Sequence, residues 1–239
     1  MPKFFTKTDY INQDELKIVG EDVAHISKVL RMSPGETIVV CDGSGNDYDA
    51  EITSITKNEV VARIIRSYVC DAEPSVSVTL YQALPKQGKM EYIIQKTTEL
   101  GISKIVPVYT KRCVVKPSDK GDRWNKVALS AAKQCGRGVV PEVTQTISFD
   151  EALKEMQDYD CSLMPYECEE HNRLKDIFKD KKYKTVSIFI GPEGGFDLSE
   201  VEKAVKAGVK TVTLGKRILR TETAASAVLP VIMYESDEM

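Results

Sequence analysis

The chain reads as a small β domain followed by an α/β domain built on a largely parallel sheet. Three observations predict this: period-two alternation through the first seventy residues, an aperiodic proline-bearing stretch at 70–75, and a strand, helix, strand rhythm after it. With 239 residues, 42% hydrophobic and 29% charged, the chain has the apolar content for a full-sized core under a solvated surface. A disordered, collagen-like or disulfide-scaffold chain is excluded.

The alternation is clearest in Glu36–Cys41, Asp47–Thr53 and Val60–Ile65, which read as half-buried strands. Asp42-Gly43-Ser44-Gly45-Asn46 joins the first two with residues that tolerate positive φ, as a hairpin connection requires. After Gly20, Val23, Ile26 and Val29/Leu30 recur at helical spacing, so one short helix interrupts the β pattern. The stretch Cys70–Ser75 has neither period and contains Pro74, which places the boundary there and gives domains 1–72 and 74–239.

Beyond the boundary, Val76, Val78 and Leu80 predict a strand. Met90, Ile93, Ile94, Thr97 and Leu100 trace one face of a helix, and Gly101 stands where a left-handed residue ends it. Ile102–Val108 is the next strand. Trp124, Val127, Ala128, Ala131 and Cys135 give a second amphipathic helix, and Val186–Ile190 reads as a buried strand. Asp197 or Ser199 caps the helix that follows, since Glu200 and Glu202 give both the capping-box spacing. Val209–Leu214 is a further strand that leads through a polar loop into a last helix.

Six cysteines occur without a C-x-x-C pair and the two histidines, His25 and His171, are far apart in sequence, so metal-site spacing is absent and no metal is expected. The longest mostly apolar stretch, Ala224–Met233, is too short to cross a bilayer, and the polar residues after Phe5 do not make a secretory signal. A cytoplasmic protein with no membrane partner is expected. The net charge of −3 conceals a basic middle: residues 84–140 carry 12 basic against 4 acidic side chains. A lysine-rich solvated face and a nucleic-acid contact fit that excess equally.

Two loops stand at strand ends, where α/β sheets bind ligands. Ile190-Gly191-Pro192-Glu193-Gly194-Gly195-Phe196 lets a ligand approach the backbone, and a branched side chain at Gly194 is expected to take the ligand's place. Its G-x-x-G-G spacing matches neither a dinucleotide fingerprint nor a P-loop. A tight turn without a ligand is the alternative. Gly215-Lys216-Arg217-Ile218-Leu219-Arg220-Thr221-Glu222-Thr223-Ala224 pairs two apolar residues with charged ones, which suits an aromatic ring beside a polar partner. Ion pairing of Arg220 with Glu222, or with a helix end, is the alternative there.

These motifs resemble those of the RsmE-type small-subunit ribosomal RNA methyltransferases, of the SPOUT superfamily. The likeness runs through Met1–Phe5, His25 with Val29-Leu30-Arg31-Met32, Asp42-Gly43, Lys86-x-Gly88-Lys89-Met90-Glu91 and Gln95-Lys96-x-Thr98-Glu99-Leu100-Gly101. It continues in Gln134-Cys135-Gly136-Arg137 with Pro141, in Pro165-Tyr166-Glu167, and in the two strand-end loops. Lys3 stands where arginine is usual, and Lys133 where glutamate is. The resemblance implies an N-terminal PUA-like β-barrel that holds RNA, then an α/β domain tied in a trefoil knot. It also implies a homodimer that binds S-adenosylmethionine and methylates N3 of a uridine in 16S ribosomal RNA of the small ribosomal subunit. A non-catalytic RNA-binding protein, or methylation of another RNA atom, is the competing expectation.

By the same likeness the cofactor pocket comprises Met164, Pro165, Tyr166 and Glu167; Ile190, Gly191, Pro192, Glu193, Gly194 and Gly195; and Leu214, Gly215, Ile218, Leu219, Thr223 and Ala224. Uracil N3 is a weak nucleophile until its proton leaves, so a base or an anion stabiliser is needed. Arg220 is the candidate stabiliser, with Glu222 or Glu99 as proton acceptor. RNA contacts are expected from Lys3, Arg31, Lys86, Lys89, Lys96, Arg112 and Arg137. Phe4, Phe5 and Tyr166 are candidates to stack a flipped base, with core packing as the alternative.

Overall fold

The computed structural model describes residues 3–86, 88–118 and 120–239. The chain divides into two compact units, the first formed by 1–73 with 132–140 and the second by 74–131 with 141–239. The sequence pattern has no counterpart to the return of 132–140 to the first unit.

In the first unit, β1 (Lys3–Phe5), β2 (Glu15–Val19), β3 (Thr37–Cys41), β4 (Asn46–Ile55) and β5 (Glu59–Val69) form one sheet in the order β1-β3-β4-β5-β2. Only β1 runs parallel to its neighbour. Alternate residues point inward, so Leu16, Ile18, Ile38, Val40, Ile52 and Val60 are fully or almost fully buried around Phe4 and Ile26. The short helix is α1 (Glu21–Ala24), continued by a π turn over His25–Val29. Val23 and Ile26 pack inward as expected, but Val29 and Leu30 face solvent, Val29 at 67% exposure. A π turn takes more residues per revolution than an α-helix, so helical spacing no longer predicts the face beyond it.

The returning segment plugs this unit. The buried Arg137 guanidinium pairs with Glu73 at 2.7 Å, and the other Glu73 oxygen accepts the Gly138 and Val139 N–H groups at 2.8 and 3.0 Å. Lys3 donates to Asp47 at 2.7 Å and to the Gly136 carbonyl at 2.9 Å. A Cβ at Gly138 would lie 2.5 Å from that of Cys70, so only glycine allows this approach.

The second unit contains β6 (Ser77–Ala83), α2 (Lys89–Glu99), β7 (Lys104–Tyr109), most of α3 (Gly121–Cys135), β8 (Glu142–Val143), β9 (Ile147–Ser148) and α4 (Phe149–Glu155). It continues with β10 (Cys161–Pro165), α5 (Leu174–Phe178), β11 (Thr185–Ile190), α6 (Leu198–Lys206), β12 (Lys210–Val212) and α7 (Thr221–Glu235). Its strands are ordered β12-β10-β11-β6-β7-β8, with β9 also on β7, and every pairing is parallel. Strands buried on both faces explain the unbroken burial of Val78–Ala83, where period-two alternation was expected. Gly101, at φ 91°, follows α2 as predicted, and Asp197 rather than Ser199 caps α6, in a capping box with Glu200. The strand expected over 209–214 is shorter, because the Thr213 N–H leaves the β10 ladder for the Asn172 carbonyl at 2.8 Å.

Among the described residues no helix is long and apolar enough to cross a membrane, and no group of three or more His, Cys, Asp or Glu is placed to hold a metal ion.

Candidate functional site

Because β12, β10 and β11 are parallel neighbours, their C-terminal ends share one edge of the sheet, and the loops at 166–173, 191–196 and 213–220 emerge together. They enclose a cavity of about 1110 Å3. Its lining takes in Pro165, Tyr166 and Glu167, the whole of Ile190–Gly195, Leu214, Gly215, Ile218, Leu219 and Ala224, together with Arg220. The two loops read from the sequence thus belong to one cradle. Ile218, an apolar side chain, stands 86% exposed at its wall.

Hydrogen bonds fix the loops to each other. The Thr221 hydroxyl donates to the Gly191 carbonyl at 2.7 Å and accepts from the buried Gln82 amide at 2.9 Å. Arg112 Nη1 donates to the Gly194 carbonyl at 3.0 Å. At the start of α2, the Lys89 ammonium bridges Glu193 at 3.0 Å and Glu222 at 3.1 Å. For each carboxylate burial acts upward but is outweighed by Lys89 and by backbone N–H groups, so both ionise below the usual range. The bonds to Glu193 and Glu222 in turn hold Lys89 protonated above the ordinary lysine range.

The third wall hangs on Glu169, which accepts from the Thr211 hydroxyl at 2.6 Å, the His171 N–H at 2.9 Å and the Asn172 amide at 3.1 Å. These bonds, led by that from Thr211, bring its carboxyl down to about 2. Glu169, Thr221 and Gln82 were not singled out from the sequence. Gln82 carried a signal, as a polar residue inside an apolar strand, since buried polar groups are kept where they have partners.

Several expected residues have other positions. Met164 is fully buried in the core beside Tyr81 and Phe189, leaving only its backbone for the edge of the site. Thr223 is exposed and absent from the cavity lining, as is Glu222, whose carboxylate reaches the site through Lys89. Glu99 pairs with Lys96 at 2.9 Å at the opposite end of α2 from Lys89, roughly 15 Å away at the helical rise, and is not brought to the cavity. Gly194 differs from expectation as well. Its missing Cβ faces Arg112, at 3.4 Å from that residue's Cβ, whereas at Gly195, with φ 65°, a Cβ would sit 2.7 Å from Glu167 Oε1.

Of the cations expected to meet RNA, Arg31 and Lys86 are exposed. Lys3 and Arg137 are instead used inside the first unit, where their charges balance Asp47 and Glu73. Lys89, Lys96 and Arg112 each contact a carboxylate, at 3.6 Å in the case of Arg112 and Asp197. Phe4 is buried in the first unit's core, edge-on to His25.

Comparison with known proteins matches the description "RNA methyltransferase domain" over residues 72–233 and "RNA methyltransferase PUA domain" over residues 18–65. The ribosomal RNA small subunit methyltransferase E of Bacillus subtilis (strain 168) is 36% identical over 252 residues, covering 99% of this chain and 98% of that protein. The chain belongs to the ribosomal RNA small subunit methyltransferase E family. Another family member, from Mesomycoplasma hyopneumoniae (strain 232), is 35% identical over 74% of this chain and 78% of its own length. The crystal structure of the family's enzyme from Neisseria gonorrhoeae, bound to S-adenosyl methionine, superimposes with a TM-score of 0.89 at 33% identity, over 98% of this chain and 97% of that one. The PUA-like match thus falls within the N-terminal part of the first unit, and the methyltransferase match takes in most of the α/β unit together with the returning segment 132–140.

Proposed function

We propose that this chain transfers a methyl group from S-adenosylmethionine to N3 of a uridine in 16S ribosomal RNA of the small ribosomal subunit, acting as a homodimer in the cytoplasm with a knotted second domain. The observation that carries the reading is the single cavity built by three strand-end loops. Its residues suit the cofactor: glycines expose backbone N–H and C=O groups for a polar rim, and the uncovered Ile218, with Leu214 and Leu219, provides apolar surface for a purine ring. The family's enzyme from Neisseria gonorrhoeae is named as bound to that molecule.

When bound, S-adenosylmethionine supplies an electrophilic methyl carbon on a sulfonium centre. Arg220, exposed at the cavity wall, offers its guanidinium to a uracil carbonyl and stabilises the negative charge that develops as N3 loses its proton. Glu222, ionised below the usual carboxylate range, is a weak proton acceptor and serves first to hold Lys89. Anion stabilisation by Arg220 therefore carries the step: the N3 proton passes to solvent water at the open cavity, and the N–C bond forms as the sulfonium S–CH3 bond breaks to leave a neutral thioether.

The test is transfer of tritium from labelled S-adenosylmethionine to small subunits that lack the modification, followed by nucleoside analysis. Label recovered as N3-methyluridine is expected. Label on a ribose oxygen or a guanine nitrogen would replace the acceptor atom, and tight cofactor binding without transfer would sink the enzymatic reading.

A further inference from the structure

A second, smaller cavity of about 220 Å3 lies within the α/β unit, where the loop after β6, the start of α2 and the start of α3 meet Val115, Lys116, Ser118 and Lys120. Apolar side chains, including Leu84, Met90 and Trp124, form its floor, Lys86, Lys116 and Lys120 stand around it, and Glu91, whose charge is balanced by Arg123 at 3.0 Å, also lines it. Among the described residues no carboxylate pairs with any of these three lysines, in contrast to Lys89 and Lys96 nearby in sequence. Trp124 is 4% exposed, and its buried indole N–H has no hydrogen-bond acceptor among the described residues. A buried donor left unpaired is unfavourable, and a ligand acceptor would satisfy it.

Lys86 and Gly88 line this cavity and Lys89 the larger one, and the two share no lining residue. The Lys86 N–H donates to Glu193 Oε1 at 3.0 Å, and Lys89 lines the larger cavity. An apolar floor, an unpaired donor and ammonium groups that meet no carboxylate among the described residues together match a nucleotide: a flat base bearing a carbonyl, with phosphates at the rim.

We infer that this cavity seats a nucleotide of the RNA substrate next to the one that is methylated. It is not the seat of the methylated base itself, because a nucleophile must come within about 3–3.5 Å of the methyl carbon and the two cavities have no lining residue in common. The inference rests on the methyltransferase reading and adds a specificity pocket to it.

Trp124 is the only tryptophan in the chain, so its fluorescence reports on this cavity directly. The full-length protein is titrated separately with a short single-stranded RNA and with S-adenosylmethionine, alongside the double variant Lys116→Ala/Lys120→Ala. RNA is expected to change the emission strongly and S-adenosylmethionine to change it little. The double variant should bind RNA at least ten-fold more weakly, with a salt dependence lowered by about one to two ion equivalents and cofactor affinity within two-fold of the parent. Unchanged emission on RNA binding, or unaltered RNA affinity in the variant, overturns the pocket. Methyl transfer by the parent protein is measured in parallel: transfer with a silent Trp124 defeats the pocket alone, whereas absence of both transfer and cofactor binding defeats the methyltransferase reading.

Discussion

The Thr221 hydroxyl stands between two loops, donating to the Gly191 carbonyl at 2.7 Å while accepting from Gln82 at 2.9 Å. One side chain at the start of α7 thereby fixes the distance between the glycine loop and the loop carrying Ile218 and Arg220. Thr221→Val keeps the shape and removes both bonds, leaving the Gly191 carbonyl without this donor and the Gln82 amide with only its bond to the Ala83 carbonyl at 3.0 Å. The expected loss is about 1–3 kcal/mol in urea denaturation, with cofactor affinity reduced several-fold by calorimetry and largely restored in Thr221→Ser.

Arg220 contributes a side chain to the cavity wall and only its backbone carbonyl to α7, where it accepts the Thr223 and Ala224 N–H groups at 2.9 and 2.8 Å. Arg220→Ala therefore leaves the helix start intact. Turnover should fall by roughly a hundred-fold or more, with the cofactor dissociation constant within a few-fold of the parent. Steady-state methyl transfer paired with equilibrium binding checks both halves, and an unchanged kcat removes Arg220 from the chemistry.

Adjacent glycines should behave differently. Gly195→Ala forces a left-handed φ on alanine and displaces the exposed Glu167 carboxylate from its place 2.7 Å from the new Cβ, so a backbone cost of about 1–3 kcal/mol and a several-fold loss of cofactor affinity are expected. Gly194→Ala meets Arg112 at 3.4 Å, near ordinary contact, and should retain binding within a few-fold. Thermal melts with and without cofactor would separate the two variants, and equal damage at both positions would refute the assignment.

Glu169, at about 2 in the folded chain against an ordinary value near 4.5, contributes stability that is complete above pH 4.5. As pH falls from there toward 2, protonation of the unfolded chain removes that contribution. Glu169→Gln should flatten the stability profile between pH 4.5 and 2 and leave its slope above pH 5 unchanged, which urea midpoints across that range would reveal. A variant as acid-sensitive as the parent would show that the Thr211 and His171 bonds do not hold the carboxylate.

Much of this architecture was legible in the residues. Alternation in 36–65 located β3, β4 and β5, since each has one face on a core, and helical spacing from Met90 to Leu100 located α2. Both cradle loops could be read because glycine clusters and mixed charge at strand ends are local features. What could not be read is non-local. No periodicity announces that Lys89 lies between Glu193 and Glu222, or that Lys3 meets Gly136 across the first unit. The strands β1, β2, β8, β9 and β10 were not read: β1, β8 and β9 have two or three residues, β10 is buried on both faces and so does not alternate, whereas β2 does alternate over Glu15–Val19 and was legible.

The plug formed by residues 136–139 bears on how such chains can be recombined. A gene fragment ending at the first domain boundary would encode a sheet whose Glu73 lacks its guanidinium and whose Cys70 borders a hole. Swapping RNA-reading halves between relatives must therefore carry two separate stretches of coding sequence, and inheritance of one without the other should yield insoluble hybrids.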